Sequence, residues 1–180
     1  MTLNSGGESV SYTNGFPTRL VYSISSTTGP STRLIPDMNF TCNGVIAGYR
    51  AAGVQGSPVI QVWRNNGSLY SNTTAGIVID GDLCIGGLEM CSDLQDDRVL
   101  CCDLNRTITN VPVQPGDILG LKLPRNSRLV FAAASRAPTN YVFGADSTSP
   151  LSLSSASNKP AILPQISLQI EPGSYIIIIV

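Results

Sequence analysis

The sequence predicts one all-β domain, an antiparallel β-sandwich or jelly roll, and three observations carry that expectation. Twelve prolines and 17 glycines in 180 residues break the chain too often for a helix of any length. Between the breaks lie short apolar runs whose period is two, the repeat of a half-buried strand. The breaks are also the turn residues that antiparallel strands need. Pro115-Gly116 inside Gln114-Pro115-Gly116-Asp117 suits a type II turn, with proline setting φ and glycine supplying φ > 0. Asn43-Gly44, Asn66-Gly67 and Asp80-Gly81 add positions that tolerate left-handed backbone.

In chain order the predicted strands are Arg19–Ser25, Phe40–Ala51, Val59–Arg64, Ile77–Ile79, Arg98–Cys102 and Arg106–Val113. Asp117–Leu123, Leu129–Ala134, Tyr141–Phe143 and Gln165–Glu171 complete the set. Alternation is cleanest in the last, where Ile166, Leu168 and Ile170 oppose Gln165, Ser167, Gln169 and Glu171. Leu119, Leu121 and Leu123 repeat the period. Trp63, the one tryptophan, ends the apolar run Val59-Ile60-Gln61-Val62-Trp63 and reads as core in preference to a ligand platform. The Ser- and Pro-rich stretch 147–160 reads as a flexible loop before the final strand. Residues 1–174 are therefore expected to form one sandwich.

Composition narrows the function. Apolar residues make up 42% of the chain and charged ones 13%, about half the usual charged share. That excludes a disordered chain and describes a surface of Ser, Thr, Asn and Gly. Net charge is −1 and no basic stripe exists, which argues against nucleic acid as a partner. Histidine is absent, which removes the commonest general base and metal ligand together. No S-x-x-K pattern or phosphate loop compensates. The chain is read as a non-enzyme without a cofactor.

Two features point to the secretory route. Five cysteines, Cys42, Cys84, Cys91, Cys101 and Cys102, form no C-x-x-C pair and read as disulfide candidates. Cys84 and Cys91 could staple one loop, and Cys42 is the first choice to pair with Cys101 or Cys102. Four N-x-S/T sequons mark Asn39, Asn66, Asn72 and Asn105 as glycosylation candidates. About two would arise by chance from 12 Asn and 34 Ser plus Thr, so the cysteines strengthen this reading.

The ends carry their own expectations. Met1–Gly7 has neither the basic nor the apolar region of a signal peptide, and the chain is read as a fragment of a longer protein. Tyr175–Val180 is unbroken apolar sequence, either a last buried strand or the start of a membrane span of about 20 residues. The span is preferred, because Glu171-Pro172-Gly173 ends the strand before it. One acidic stretch, Gly81–Asp97, has no basic residue. Asp80, Asp82, Asp93 and Asp96 are its calcium candidates, without EF-hand spacing, set against the reading of a solvated loop.

Several segments together resemble a family. They are Met38-Asn39-Phe40-Thr41-Cys42-Asn43-Gly44, Pro58-Val59-Ile60-Gln61-Val62-Trp63-Arg64, Val113-Gln114-Pro115-Gly116-Asp117-Ile118-Leu119-Gly120, Ala137-Pro138-Thr139-Asn140-Tyr141 and Leu163-Pro164-Gln165-Ile166. In this order, over residues 35–171, the chain resembles cell-surface ectodomain modules of early-branching animals, sponges especially. The resemblance implies a module followed by a Ser/Thr/Pro-rich stalk and one transmembrane helix, on the extracellular face of the plasma membrane. It implies no catalytic or binding residue. The resulting expectation is a non-enzymatic adhesion or recognition module for a protein or glycan ligand, its loops supplying the contacts. The alternative is a secreted glycan-binding or calcium-dependent lectin-like module using the acidic stretch.

Overall fold

The computed structural model describes residues 10–11, 30–51, 54, 56–80, 104–129, 131–132, 137–164 and 166–172. They form twelve strands: β1 Val10–Ser11, β2 Ser31–Asn39, β3 Gly44–Ala51, β4 Val59–Asn66, β5 Leu69–Asn72 and β6 Ile77–Val78 come first. There follow β7 Leu104–Val113, β8 Ile118–Leu123, β9 Phe131–Ala132, β10 Tyr141–Gly144, β11 Leu163–Pro164 and β12 Ile166–Pro172. The described residues contain no α-helix, and one 3-10 turn at Leu153–Ser155. The all-β expectation holds.

Two antiparallel sheets face each other. One runs β1-β12-β3-β7, the other β10-β2-β8-β4-β5 with β6 also on β4, and a ribbon of β11-β9 stands apart. Period two explains what lies between them. Leu119, Leu121 and Leu123 of β8 and Ile60 and Val62 of β4 meet Ile46 and Tyr49 of β3 and Ile166, Leu168 and Ile170 of β12 in one buried cluster. Gln169 and Glu171 point out to solvent, so the alternation read in β12 is the alternation found.

The six-stranded sheet is buried on its other face as well. Leu34, Trp63, Tyr70, Ile118 and Phe143 gather there with Leu151, Leu153 and Ala156 from the stretch 147–160. That stretch is therefore no loose connection. Tyr70 and Leu151 exchange backbone hydrogen bonds of 2.7 and 2.8 Å, and Val142 N–H donates to Asn158 O at 2.9 Å. Its serines misled, because composition hides the two or three apolar residues that roof a sheet.

Double burial also explains the strand that pattern reading missed. Five successive residues of β2, Ser31 to Ile35, are buried, so no alternation shows. β1, β5 and β11 were likewise unexpected, at two, four and two residues. The predicted strand Phe40–Ala51 begins instead at Gly44. Before it the chain turns a corner, where Phe40 N–H donates to Asp117 O at 2.8 Å and Gly116 N–H to Phe40 O at 2.9 Å. The predicted strands Arg19–Ser25 and Arg98–Cys102 and the segment Tyr175–Val180 lie outside the described residues.

The Pro-Gly turn forms as predicted: Asp117 N–H donates to Gln114 O at 3.1 Å, and Gly116 has φ 86°. A Cβ there would meet nothing within 4 Å, so only backbone strain opposes substitution. Gly116→Ala is expected to cost about 1–2 kcal/mol, read from the urea midpoint at unchanged m-value. Gly44 has another reason to be glycine. Its φ is not positive, and a Cβ would run into the backbone oxygen of Glu171 on β12.

Candidate recognition surface

Strand directions give the sandwich two distinct ends. At the first, β2 stops at Asn39 opposite Ile118, β4 stops at Asn66, and β12 stops at Pro172 opposite Gly44. Three of the sequon asparagines collect here. Asn39 is exposed, and Asn66 is exposed at the tip of the β4–β5 hairpin, where Gly67 supplies φ 77°. Asn72 is half-buried opposite Trp63, and its Oδ1 accepts from Thr74 N–H at 3.2 Å. Asn105 pairs with Arg50 near the far end of β7, and its side chain lies outside the description.

A half-buried ion pair fixes this end. Arg64 donates to Asp117 through Nε at 2.8 Å and Nη2 at 2.9 Å, and Gln114 N–H donates to the same carboxylate at 3.0 Å. The Asp117 side chain is 0% exposed, whereas 39% of the Arg64 side chain meets solvent. The hydrogen bond to Asp117 raises the Arg64 pKa above its ordinary value, and the attraction of the opposite charges adds to it. The pair ties β4 to the Pro-Gly turn. Arg64 was expected as the last residue of the strand Val59–Arg64, and Asp117 as part of a turn. The signal was there in Pro-Gly-Asp followed by an apolar strand, but spacing does not name a partner 53 residues away.

At the opposite end two turns meet. Ser57 N–H donates to Ser127 Oγ at 3.0 Å, and Gly56 at φ 65° packs so closely that a Cβ would sit 2.9 Å from Asn126 O. Ser57, Arg125 and Asn126 are exposed there. β6 runs toward the same end, since Val78 pairs with Val59 at the start of β4, and β7 sets out from it, since Leu104 pairs with Ala51. Asp80, half-buried, is the one calcium candidate in the description; Asp82, Asp93 and Asp96 fall outside it. Among the described residues no group of three or more His, Cys, Asp or Glu is placed to hold a metal.

The cysteine expectation needs correction. Cys42 lies in the bend between β2 and β3, half-buried beside the main core, and its thiol is free. No disulfide of Cys42 is seen, and Cys101 and Cys102, the partners expected for it, are not among the described residues. Cys84, Cys91, Cys101 and Cys102 lie outside the described residues.

Trp63 is core, as expected, at 2% exposure. Its indole N–H donates to Gln61 Oε1 at 3.2 Å, and Leu151 and Tyr70 belong to its cluster. The aromatic face of this sheet is therefore roofed and offers no stacking platform. Sequence reasoning missed Arg33, a cation at 0% exposure on the core face of β2. No helix among the described residues is long and apolar enough to cross a membrane. No protein-family model, curated protein or solved structure matches the chain.

Proposed function

We propose that this chain is a non-enzymatic extracellular recognition module whose contacts come from the end formed by residues 56–58 and 124–127. The observation that supports this reading is the polarity of the sandwich. Three sequons and the exit of β12 share one end, while the exposed residues Ser57, Arg125 and Asn126 mark the other, toward which the fourth sequon, Asn105, lies. Glycans at Asn39, Asn66 and Asn72 would shield the first end, and a membrane anchor beyond Tyr175–Val180 would place that end toward the cell. The second end then faces outward, where binding loops belong. A surface poor in charge and without histidine suits this role better than catalysis.

Tetramers of the secreted module, applied to arrays of glycans and of cell-surface proteins with and without calcium, test the reading. Calcium-independent binding to a protein is the expected result. Calcium-dependent binding to glycans alone would favour the lectin-like alternative and the carboxylates Asp80, Asp82, Asp93 and Asp96.

The free Cys42 makes a further expected outcome specific. In an oxidising compartment the remaining four cysteines can pair off as two disulfides, leaving Cys42 as the odd thiol. Mass mapping of the unreduced protein should find one alkylatable cysteine, Cys42. Five alkylatable cysteines would contradict the secretory reading itself.

A further inference from the structure

We infer that Arg33 holds a small monovalent anion of the halide class inside the sandwich, with the Ser31 hydroxyl as a second donor. Ser31 and Arg33 are two residues apart on β2, so they share a face. Their register partners, Leu123 and Leu121, belong to the core between the sheets. Arg33 is 0% exposed and Ser31 5%. The guanidinium lies over the Phe131 ring, 4.8 Å from its centroid. The ring meets one flat side of the cation, whereas the N–H donors point outward within its plane.

Those donors want an acceptor. Arg33 Nε and Nη1 and Ser31 Oγ are all buried, and none finds a hydrogen-bond partner among the described residues. Among the described carboxylates, Asp117 is engaged by Arg64, Asp37 accepts from Thr139 N–H at 3.1 Å, and Asp146 and Glu171 are exposed. Burial pushes the Arg33 pKa down to about 10, with desolvation as the cause. The group thus keeps its charge at neutral pH, in a setting where an unmatched ion is costly. A water molecule would satisfy a donor but not the charge. Complete enclosure favours a small ion over phosphate or an organic acid. The inference stands apart from the proposed function, since the ion would be structural.

Thermal unfolding of the folded protein in sodium chloride against sodium gluconate, at equal ionic strength, tests it together with bromide-soaked crystals. The melting temperature should rise with chloride, and an anomalous bromide peak should lie within hydrogen-bonding distance of Arg33. Arg33→Met keeps the bulk and should erase the chloride dependence. Ser31→Ala should weaken the apparent halide affinity about tenfold, the worth of one hydrogen bond to an ion. Equal chloride dependence in the wild type and Arg33→Met would overturn the inference. So would crystals with no bromide at Arg33, including any in which a carboxylate of the chain lies against it. Should Arg33→Met fail to fold, the bromide map of the wild type decides alone.

Discussion

Trp63→Ala is expected to remove about 3–5 kcal/mol of stability, the cost of emptying a packed aromatic site. The indole is buried at 2% exposure among Leu34, Tyr70, Ile118, Phe143 and Leu151. Its N–H is already satisfied by Gln61, so the loss comes from packing, with Gln61 left wanting a donor. Against a typical total of about 5–15 kcal/mol this is a large share, and the melting temperature should fall by roughly 10 °C or more. A companion substitution checks the geometry from below. A Cβ at Gly120 would press into the Trp63 indole, so Gly120→Ala should destabilise although alanine suits a strand better than glycine. Both variants should also loosen the segment 147–160, whose Leu151 packs in the same cluster. Hydrogen exchange at the amides of Tyr70 and Leu151 reads that directly. If Trp63→Ala cost less than about 1 kcal/mol, the outer face would not be a core.

Arg64→Met is expected to cost about 2–3 kcal/mol, because it strands the Asp117 carboxylate at 0% exposure without its two guanidinium donors. The figure sits below that of a fully enclosed pair because the Arg64 side chain is 39% exposed and water screens part of the attraction. Asp117→Ala should cost less than the carboxylate left unpaired, since Arg64 can turn to solvent. In the double variant the two losses should not add, and the coupling should exceed about 1 kcal/mol. A coupling near zero would make the pair an ordinary surface contact. The expected local consequence is a loosened corner at Phe40 and Gly116, next to the exposed Asn39.

How much of this was legible depended on whether a strand was buried on one face or two. β12 showed its period openly, because Gln169 and Glu171 remain in solvent, and β8 was legible from Leu119, Leu121 and Leu123 although Ile118 and Gly120 on its other face are buried too. β2 could not be read. Leu34 packs outward against Phe143 and Ile35 inward against the second sheet, and a charged Arg33 sits where an apolar residue would be expected. The stretch 147–160 was misread for the converse reason: Leu151 and Leu153 do the packing, while the serines set the composition. Asp117 was placed in its turn but not in its ion pair, since the partner comes from a distant strand. The sequons were plain in the sequence, yet the gathering of three of them at one end, with Asn105 toward the other, follows only from strand directions. Cys42 looked like a strand residue because the apolar run continues through a corner that backbone hydrogen bonds impose.

The polarity of the sandwich is the central claim, and a glycan placed at the outward end tests it most directly. Arg128→Thr completes an N-x-T sequon at Asn126, an exposed residue of the turn that Ser57 touches. Binding of the tetramerised module to cells, read by flow cytometry, would be compared with Arg128→Ala and with the triple variant Asn39→Gln, Asn66→Gln and Asn72→Gln. The account predicts that the added glycan at Asn126 lowers binding at least about tenfold, worth about 1.4 kcal/mol, while Arg128→Ala and the triple variant bind as the wild type does. Full binding with a glycan at Asn126, or loss of binding in the triple variant with the fold intact, would place the contact surface at the other end and contradict it.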